Sequence, residues 1–217
     1  MRPAVALVVA KAPVVGEVKT RLGRSVGMER AADLAAAALL DTVAACAEAY
    51  GVERCHIALD GVLAHGQRAN QLLDATAEWT VHPQRGGCFA QRLVHAHQDA
   101  ASFSGAPVVQ VGMDTPHLDP GALIEAGELL AAPDDAVLGP AYDGGWWLLG
   151  VGGPHLLAHL HEVPMSTTET GRLTRQSLVR SGARVRDIAR LRDVDEAQDA
   201  DAVATAAPAT RFARSWR

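Results

Sequence analysis

Asp114 is a carboxylate placed where a divalent cation could be bound. The apolar run at residues 108–112 predicts a buried strand, and Met113, Asp114 and Thr115-Pro116 follow it directly. In open α/β sheets, ligands bind just beyond the carboxyl ends of the strands. A carboxylate there, next to a glycine (Gly112) that lets the backbone approach a ligand, can hold a metal ion on a phosphate. The alternative is that Asp114 only forms a turn, as aspartate commonly does.

A second candidate segment is the basic loop after the first predicted strand. The strand spans residues 5–10, and Lys11, Lys19, Arg21 and Arg24 come after it with Glu17 as the one nearby acid. Phosphate groups bind to cations and to the backbone donors near a helix N-terminus. The spacing is not that of a Walker loop. The loop therefore indicates phosphate binding, with a solvated basic loop as the alternative.

The turn-rich segment 139–147 contains Asp143, Gly144, Gly145 and Trp146. Asp-Gly is the usual signal of a β-hairpin, so one interpretation is a hairpin whose tryptophans bury surface. The other is a substrate-binding turn, in which the glycines admit a ligand and Asp143 points a carboxylate at it.

Asp195, in Asp193-Val194-Asp195, has two interpretations. It precedes the last predicted helix, which makes it a plausible N-cap. It could also be a second carboxylate that meets Asp114 at a metal site.

Strand and helix patterns alternate along the chain, which predicts an α/β fold with helices on both faces of the sheet. The sheet is expected to be mixed and mostly parallel, because the Asp143-Gly144 turn joins two consecutive strands. Strands are expected at residues 5–10, 55–59, 79–82, 108–112, 136–138, 146–151 and near 185. Helices are expected at residues 29–50, 62–75, 89–101, from Pro120, at 171–180 and from Glu196.

Composition narrows the class of protein. The 217 residues suit a single domain over 1–217, with the basic end at 210–217 expected to be a frayed tail. A net charge of −5 without a basic face argues against a nucleic-acid partner. The odd cysteine count, the short N-terminal apolar run and the lack of a cleavage pattern indicate a cytoplasmic protein with no membrane partner. A homodimer is left open.

Four segments in this order resemble a known family. They are Ala10-Lys11-Ala12-Pro13 through Val18-Lys19-Thr20-Arg21-Leu22, Gly112-Met113-Asp114-Thr115-Pro116, Gly139-Pro140-Ala141-Tyr142-Asp143-Gly144-Gly145-Trp146, and Asp193-Val194-Asp195. Together they resemble a bacterial family of provisionally assigned GT-A-like glycosyltransferases in the nucleotide-diphospho-sugar transferase superfamily. More distant kin are phospholactate guanylyltransferase and the molybdenum-cofactor nucleotidyltransferases.

The resemblance implies a Rossmann-like GT-A fold and a set of site roles. Asp114 and Asp195 would hold Mg²⁺ or Mn²⁺, and Lys11, Lys19 and Arg21, with Gly112, would face the phosphates. Lys19, Arg21 and Asp114 would be the catalytic residues. The chain departs from the family pattern at residues 86–93, where Cys88 and Gln91 stand in place of acidic residues.

Three functions are compatible with these features. The first is nucleotidyl transfer, in which an acceptor phosphate or hydroxyl attacks the α-phosphate of a nucleoside triphosphate and pyrophosphate leaves. The second is glycosyl transfer from a nucleotide sugar to a small-molecule acceptor. The third is a non-catalytic nucleotide-binding domain, which the altered segment 86–93 would suit.

Overall fold

Seven strands form one mixed sheet in the computed structural model, which describes residues 2–217. The strand order is β3-β2-β1-β4-β6-β5-β7, and β6 runs antiparallel to both of its neighbours while the other pairs are parallel. The strands are β1 (Val5–Lys11), β2 (Cys55–Asp60), β3 (Thr80–Pro83), β4 (Val108–Gly112), β5 (Asp135–Pro140), β6 (Trp146–Val151) and β7 (Arg184–Asp187). The predicted mixed, mostly parallel α/β sheet is confirmed.

Eight α-helices accompany the sheet within these residues. They are α1 (Thr20–Val26), α2 (Met28–Tyr50), α3 (Ala69–Ala75), α4 (Phe89–Ser104), α5 (Pro120–Glu128), α6 (Thr170–Arg180), α7 (Ala197–Ala206) and α8 (Arg211–Trp216). Short 3₁₀ turns lie at Val52–Arg54, Leu63–His65, Pro154–Leu157 and Leu160–Glu162.

The central strand β1 is buried on both faces, which explains its unbroken apolar sequence. Ala6 and Val8 belong to the core shared with α2, whereas Leu7 and Val9 belong to the core shared with α4. Successive side chains of a strand point to opposite faces, so one strand supplies both layers. The predicted helices on both faces are confirmed.

Topology brings the candidate segments to one edge of the sheet. The parallel strands β1, β2, β3 and β4 all end there. Because β6 is antiparallel to β4, its first residue, Trp146, begins at that same edge, and the turn from β5 lies beside it. The loops that carry Lys19, Asp114 and Asp143 therefore share a single rim.

The prediction of one helix over 62–75 was wrong, because a 3₁₀ turn and the helix α3 lie there instead. A Cβ on Gly66 would come within 2.8 Å of Pro13, and Arg68 takes a left-handed conformation (φ 53°) just before α3. Arg68 binds Asp33 of α2 through two hydrogen bonds of 2.7 Å. This contact ties the start of α3 to α2 and separates it from the preceding turn.

The prediction of a frayed tail at 210–217 was also wrong, because α8 packs against α2. Phe212 is 1% exposed in a cluster with Leu34 and Val203. The Asp41 carboxylate accepts the backbone N–H groups of Arg211 and Phe212 at 3.0 and 2.8 Å. Burial of one aromatic ring and capping of the free amides hold this short helix in place.

No helix among residues 2–217 combines the length and the apolar character that crossing a bilayer requires.

Candidate active site

A cavity of about 800 Å³ lies along the rim where β1 to β4 end. One end lies next to the carboxyl ends of β1, β2 and β3, and we call it the β2 end. The other lies next to the end of β5 and the start of β6, and we call it the β6 end. The β2 end is lined by Lys11, Asp60, Gln84, Phe89 and Arg92. The β6 end is lined by Asp143, Gly145, Trp146, Met165, Ser166, Thr167, Thr168, Thr170 and Asp193, and Gly112, Asp114, Arg21 and Asp195 lie between the two ends.

Lys19 lies at the middle of the site and forms two ion pairs there. Its Nζ lies 3.0 Å from Asp114 Oδ2 and 3.0 Å from Asp195 Oδ1, and 12% of its side chain is exposed. Arg21 adds a contact of 3.2 Å to the second oxygen of Asp195. The structure thus brings Lys19, Arg21, Asp114 and Asp195 together, as the interpretation of Asp195 as a partner of Asp114 requires.

The conformation of Lys19 is unusual for a residue with a side chain. It lies in the left-handed region, with φ 45° and ψ 41°, immediately before α1. Such a conformation costs on the order of 1 kcal/mol for a non-glycine residue, and strained residues cluster at functional sites. The two carboxylates that bind the ammonium group offset this cost.

Burial and nearby charges shift the pKa values of Lys19 and Asp195 in opposite directions. Burial lowers the pKa of Lys19, but Asp114 and Asp195 outweigh it and raise that pKa above its ordinary value. Burial raises the pKa of Asp195, but Lys19 and Arg21 outweigh it and hold that pKa below its ordinary value. Both groups are therefore charged at neutral pH.

A backbone contact fixes the two aspartate segments together. The N–H of Val194 donates to the carbonyl oxygen of Asp114 at 2.9 Å, and Val194 itself is buried. The Asp199 carboxylate accepts the N–H groups of Asp195 and Glu196 at 3.3 and 3.1 Å. Glu196, not Asp195, is the N-cap of α7, in a reciprocal capping box with Asp199. The carboxylate of Asp195 is free to face Lys19.

Asp193 is a further carboxylate at this site that the sequence interpretation did not single out. Its pKa is raised to about 6, first by burial and then by the nearby carboxylates of Asp143, Asp114 and Asp195. The Asp-x-Asp spacing was visible, but only the structure shows that both side chains reach the cavity.

The oxygen ligands available fit a divalent cation that arrives with phosphate groups. Within residues 2–217, no group of three or more His, Cys, Asp or Glu side chains is arranged to hold a metal by itself. Asp114 and Asp195 contact the same ammonium group, so both can serve one cation. Mg²⁺ is commonly bound by one or two carboxylates together with substrate phosphates and water.

Gly112 leaves room for the carboxylate of Asp114. A Cβ on Gly112 would lie 2.8 Å from Asp114 Oδ1. Lys11, by contrast, pairs with Glu17 at 3.2 Å, and both side chains are largely exposed at the rim of the cavity. Lys11 therefore lies beside the site without joining the ion pairs of Lys19.

The turn after β5 is locked against the segment before α6. Gly144 has φ 91°, and a Cβ there would lie 2.1 Å from the carbonyl oxygen of Thr168. The N–H of Gly171 donates to the carbonyl oxygen of Gly144 at 2.8 Å. Asp143 Oδ1 accepts the N–H of Gly145 at 2.7 Å, which turns the carboxylate back over the cavity. Glycine is required because any side chain would displace Thr168.

The two tryptophans have different positions. Trp147 is 2% exposed and donates its indole N–H to the carbonyl oxygen of Ala189 at 3.0 Å, so it is a core residue. Trp146 is partly buried, lines the cavity and donates to Thr174 Oγ1 at 3.1 Å. Of the two, Trp146 is the one with surface available to a ligand.

The β2 end contains residues that the sequence interpretation missed. Arg92 of α4 contacts Asp60 at 3.0 Å, and Phe89 is 49% exposed. Gln84 donates to the carbonyl oxygens of Ala10 and Ala58 at 2.9 and 3.0 Å. Asp60 is the last residue of β2 and Gln84 directly follows β3, so the rule that pointed to Asp114 also points to them.

The altered segment 86–93 forms an intact beginning of α4. Gln91 Oε1 accepts the N–H of Gly87 at 2.9 Å, one turn back. Gln91 thus provides the kind of contact to a free amide that an acidic residue would provide at the start of a helix. The loss of an acid at this position leaves the wall of the cavity in place.

The fold resembles that of several solved structures. A provisionally assigned nucleotide-diphospho-sugar transferase from Desulfovibrio desulfuricans has a TM-score of 0.79 at 24% identity, over 100% of this chain and 93% of that one. The CMP-2-keto-3-deoxy-manno-octonic acid synthetase bound to CTP has a TM-score of 0.57 at 15% identity, over 95% and 99%. A Mycobacterium tuberculosis protein bound to manganese has a TM-score of 0.52 at 18% identity, over 93% and 98%. These similarities confirm the expected Rossmann-like α/β fold.

No curated protein matches the chain. Residues 42–167 match the family described as "Uncharacterized protein conserved in bacteria (DUF2064)". The matched region includes Asp114 and the turn at Asp143, although Lys19 and Asp195 lie outside it. The chain belongs to the DUF2064 family.

Proposed function

We propose that the protein is a metal-dependent nucleotidyltransferase that uses a nucleoside triphosphate. The observation that carries this proposal is the cluster of Lys19, Arg21, Asp114 and Asp195 at the middle of the cavity. A buried cation beside two carboxylates suits a triphosphate that arrives with a divalent metal. The CTP and manganese complexes of proteins with this fold support the same class of ligand.

Asp114 and Asp195 would hold Mg²⁺ or Mn²⁺. A metal bound there would offset negative charge on the phosphate oxygens. The remaining catalysis needs positioning and charge stabilisation more than covalent chemistry by the protein.

The side chains of this chain then have separate roles in binding the triphosphate. Lys19 and Arg21 offset charge on the phosphates and on the departing pyrophosphate, and Lys11 contacts phosphate from the rim. Gly112 gives the ligand access to the backbone near Asp114. The acceptor oxygen forms a bond to the α-phosphorus as the bond from the α-phosphorus to the bridging oxygen breaks.

Glycosyl transfer from a nucleotide sugar is the second candidate. Trp146 favours it, since an aromatic face beside Asp143 at the β6 end could hold the donor sugar. The resemblance to a provisionally assigned nucleotide-diphospho-sugar transferase supports the same reaction. Non-catalytic nucleotide binding is the third candidate.

A thermal-shift panel tests these alternatives. The protein is heated with Mg²⁺ and each of the four nucleoside triphosphates or common nucleotide sugars. A ligand that binds only the folded state stabilises it in proportion to the logarithm of its saturation, about 2.7 kcal/mol at 100 times Kd. We expect one triphosphate to give the largest rise in Tm, followed by pyrophosphate release when an acceptor is added.

Variants locate the binding to the proposed site. Asp114→Asn is expected to abolish the Mg²⁺-dependent part of the shift. Asp134→Asn is the matched control, because Asp134 is exposed and lies outside the cavity. A larger shift with a nucleotide sugar would indicate glycosyl transfer, and an unchanged shift in Asp114→Asn would refute the site assignment.

A further inference from the structure

The charged side chains that line the cavity differ between its two ends. Its lining cations, Lys11, Arg21 and Arg92, all lie at the β2 end or in the middle. The lining of the β6 end, within the described residues, includes the carboxylates of Asp143 and Asp193 and no cation. Among the lining side chains, the β6 end therefore carries net negative charge, while the β2 end, with Lys11, Arg92 and Asp60, carries net positive charge.

The uncharged groups of the β6 end are also distinctive. The hydroxyls of Ser166 and Thr168 line the cavity, and neither has a hydrogen-bond partner in residues 2–217. The indole N–H of Trp146 is already bound to Thr174, so its ring presents an apolar face. Free hydroxyls, carboxylates and an aromatic face together suit a molecule rich in hydroxyl groups and poor in charge.

The geometry of this end is fixed before any ligand binds. The close approach of Gly144 to Thr168 and the hydrogen bond from Gly171 to Gly144 join the two loops that form it. Asp143 is held by its contact with the N–H of Gly145. Loops fixed in this way lose little conformational freedom when they bind, which favours selective recognition.

We propose that the β6 end binds the acceptor, and that the acceptor is a polyhydroxy compound without a phosphate group. This inference rests on the proposed nucleotidyl transfer. Carboxylates accept hydrogen bonds from hydroxyl groups, whereas a phosphate placed beside Asp143 and Asp193 would be repelled. An acceptor hydroxyl oxygen bonds to the α-phosphorus, pyrophosphate leaves with the bridging oxygen, and the hydroxyl proton passes to solvent water.

The charge of the β6 end can be measured through Trp146 in the full-length protein. Fluorescence of Trp146, isolated by subtraction of the Trp146→Phe variant, is quenched at pH 8 with caesium or with iodide. We expect the caesium-to-iodide ratio of quenching constants, each divided by its value for free N-acetyltryptophanamide, to be at least about three, because cations concentrate near carboxylates. The preference should fall towards one in Asp143→Asn/Asp193→Asn and remain in Asp134→Asn. A normalised ratio of one or less in the wild type would overturn the proposal.

Turnover then compares matched acceptors. With the triphosphate identified by thermal shift, pyrophosphate release is measured with glucose and with glucose 6-phosphate, and with glycerol and glycerol 3-phosphate. We expect the unphosphorylated member of each pair to react at least about tenfold faster, a difference of roughly 1.4 kcal/mol.

The two proposals fail in different ways. Absence of any Mg²⁺-triphosphate shift would refute nucleotidyl transfer, whereas the quenching ratio would still report the charge of the β6 end. An intact triphosphate shift with faster release on the phosphorylated acceptors would overturn the acceptor assignment alone.

Discussion

At the scale of single residues, Lys19 is the group on which the site depends. Its ammonium group lies 3.0 Å from each of two carboxylates, in the place where a metal shared by Asp114 and Asp195 would carry its charge. A cation and a metal ion so close together repel each other. If Asp114 and Asp195 hold the metal as proposed, metal binding has to displace or reorient the Lys19 side chain.

Replacement of this lysine should raise metal affinity in the absence of nucleotide. We expect Lys19→Met to bind Mn²⁺ on the order of tenfold more tightly, because about 1.4 kcal/mol of repulsion is removed. The same variant should bind the triphosphate more weakly. Isothermal titration with Mn²⁺ alone and then with Mg²⁺-triphosphate measures both changes.

Lys11→Met provides the comparison for Mn²⁺ binding, since Lys11 pairs with Glu17 at the rim. Its Mn²⁺ affinity should match that of the wild type. Equal Mn²⁺ affinity in the wild type and Lys19→Met would contradict the competition between lysine and metal.

Gly144 is a residue at which backbone conformation and close packing act together. Gly144→Ala should lower the free energy of unfolding by about 1–2 kcal/mol from its positive φ alone, and by more because the new Cβ would clash with Thr168. Gly182→Ala should cost only the backbone term, without a clash, because Gly182 has φ 89° and open space around it. Urea denaturation of both variants should show the larger loss at Gly144, and equal losses would argue against the locked turn.

At the scale of elements, the strands and the long helices could be predicted from the sequence, whereas two short helices could not. β1, α2 and β4 have clear apolar patterns, and the predicted bounds agree with the structure within about two residues. The helices α1 and α8 were missed because contacts with distant parts of the chain, and not local sequence patterns, stabilise them. α1 is seven residues long with Gly23 in its interior, and α8 depends on Asp41 and on the burial of Phe212.

Phe212 should therefore contribute more stability than its place near the C-terminus suggests. We expect Phe212→Ala to lower the free energy of unfolding by about 3–5 kcal/mol, the usual cost of removing a buried aromatic ring. Phe103→Ala is the matched control, because Phe103 is 70% exposed and should change stability by less than about 1 kcal/mol. Denaturation midpoints of the two variants measure the difference, and similar midpoints would restore the frayed-tail interpretation.

At the scale of the whole molecule, the general place of the site could be predicted but its full composition could not. The rule that ligands bind at strand ends placed Asp114 and Asp143 at one rim, and the ion pair of Lys19 with Asp114 brings Lys19 there too. The rule does not say which side chains turn inwards. Asp193 and the loop from Met165 to Thr170 reach the cavity through contacts between residues far apart in sequence, which local patterns do not encode.

Two buried histidines make the stability of the whole fold sensitive to acid. Burial lowers the pKa of His97 to about 4, against a weaker opposing effect of Gln110, and burial together with His82 lowers that of His56 to about 4. In the unfolded chain these imidazoles take up protons near pH 6.5. Between pH 6.5 and pH 4 the unfolded state binds more protons than the folded state. The free energy of unfolding therefore falls by roughly 1.4 kcal/mol for each unit by which the pH is lowered, for each histidine.

Urea denaturation at several pH values tests this dependence. We expect the slope of stability against pH between 6.5 and 4 to be smaller in His97→Gln than in the wild type, whatever the stability at pH 7. His155→Gln, at an exposed position, should keep the wild-type slope. An unchanged slope in His97→Gln would show that this imidazole titrates normally.

The hydrogen bond from Val194 to Asp114 joins a late part of the chain to a part that is synthesised much earlier. The strands β1 to β6 are complete by residue 151, whereas Lys19 and Asp114 lack Asp195 until synthesis has passed residue 195. A nascent chain can thus form most of its core while its site still lacks one carboxylate. Under the proposed function, a chain stopped before residue 195 would therefore lack one metal-binding carboxylate even where its sheet had formed.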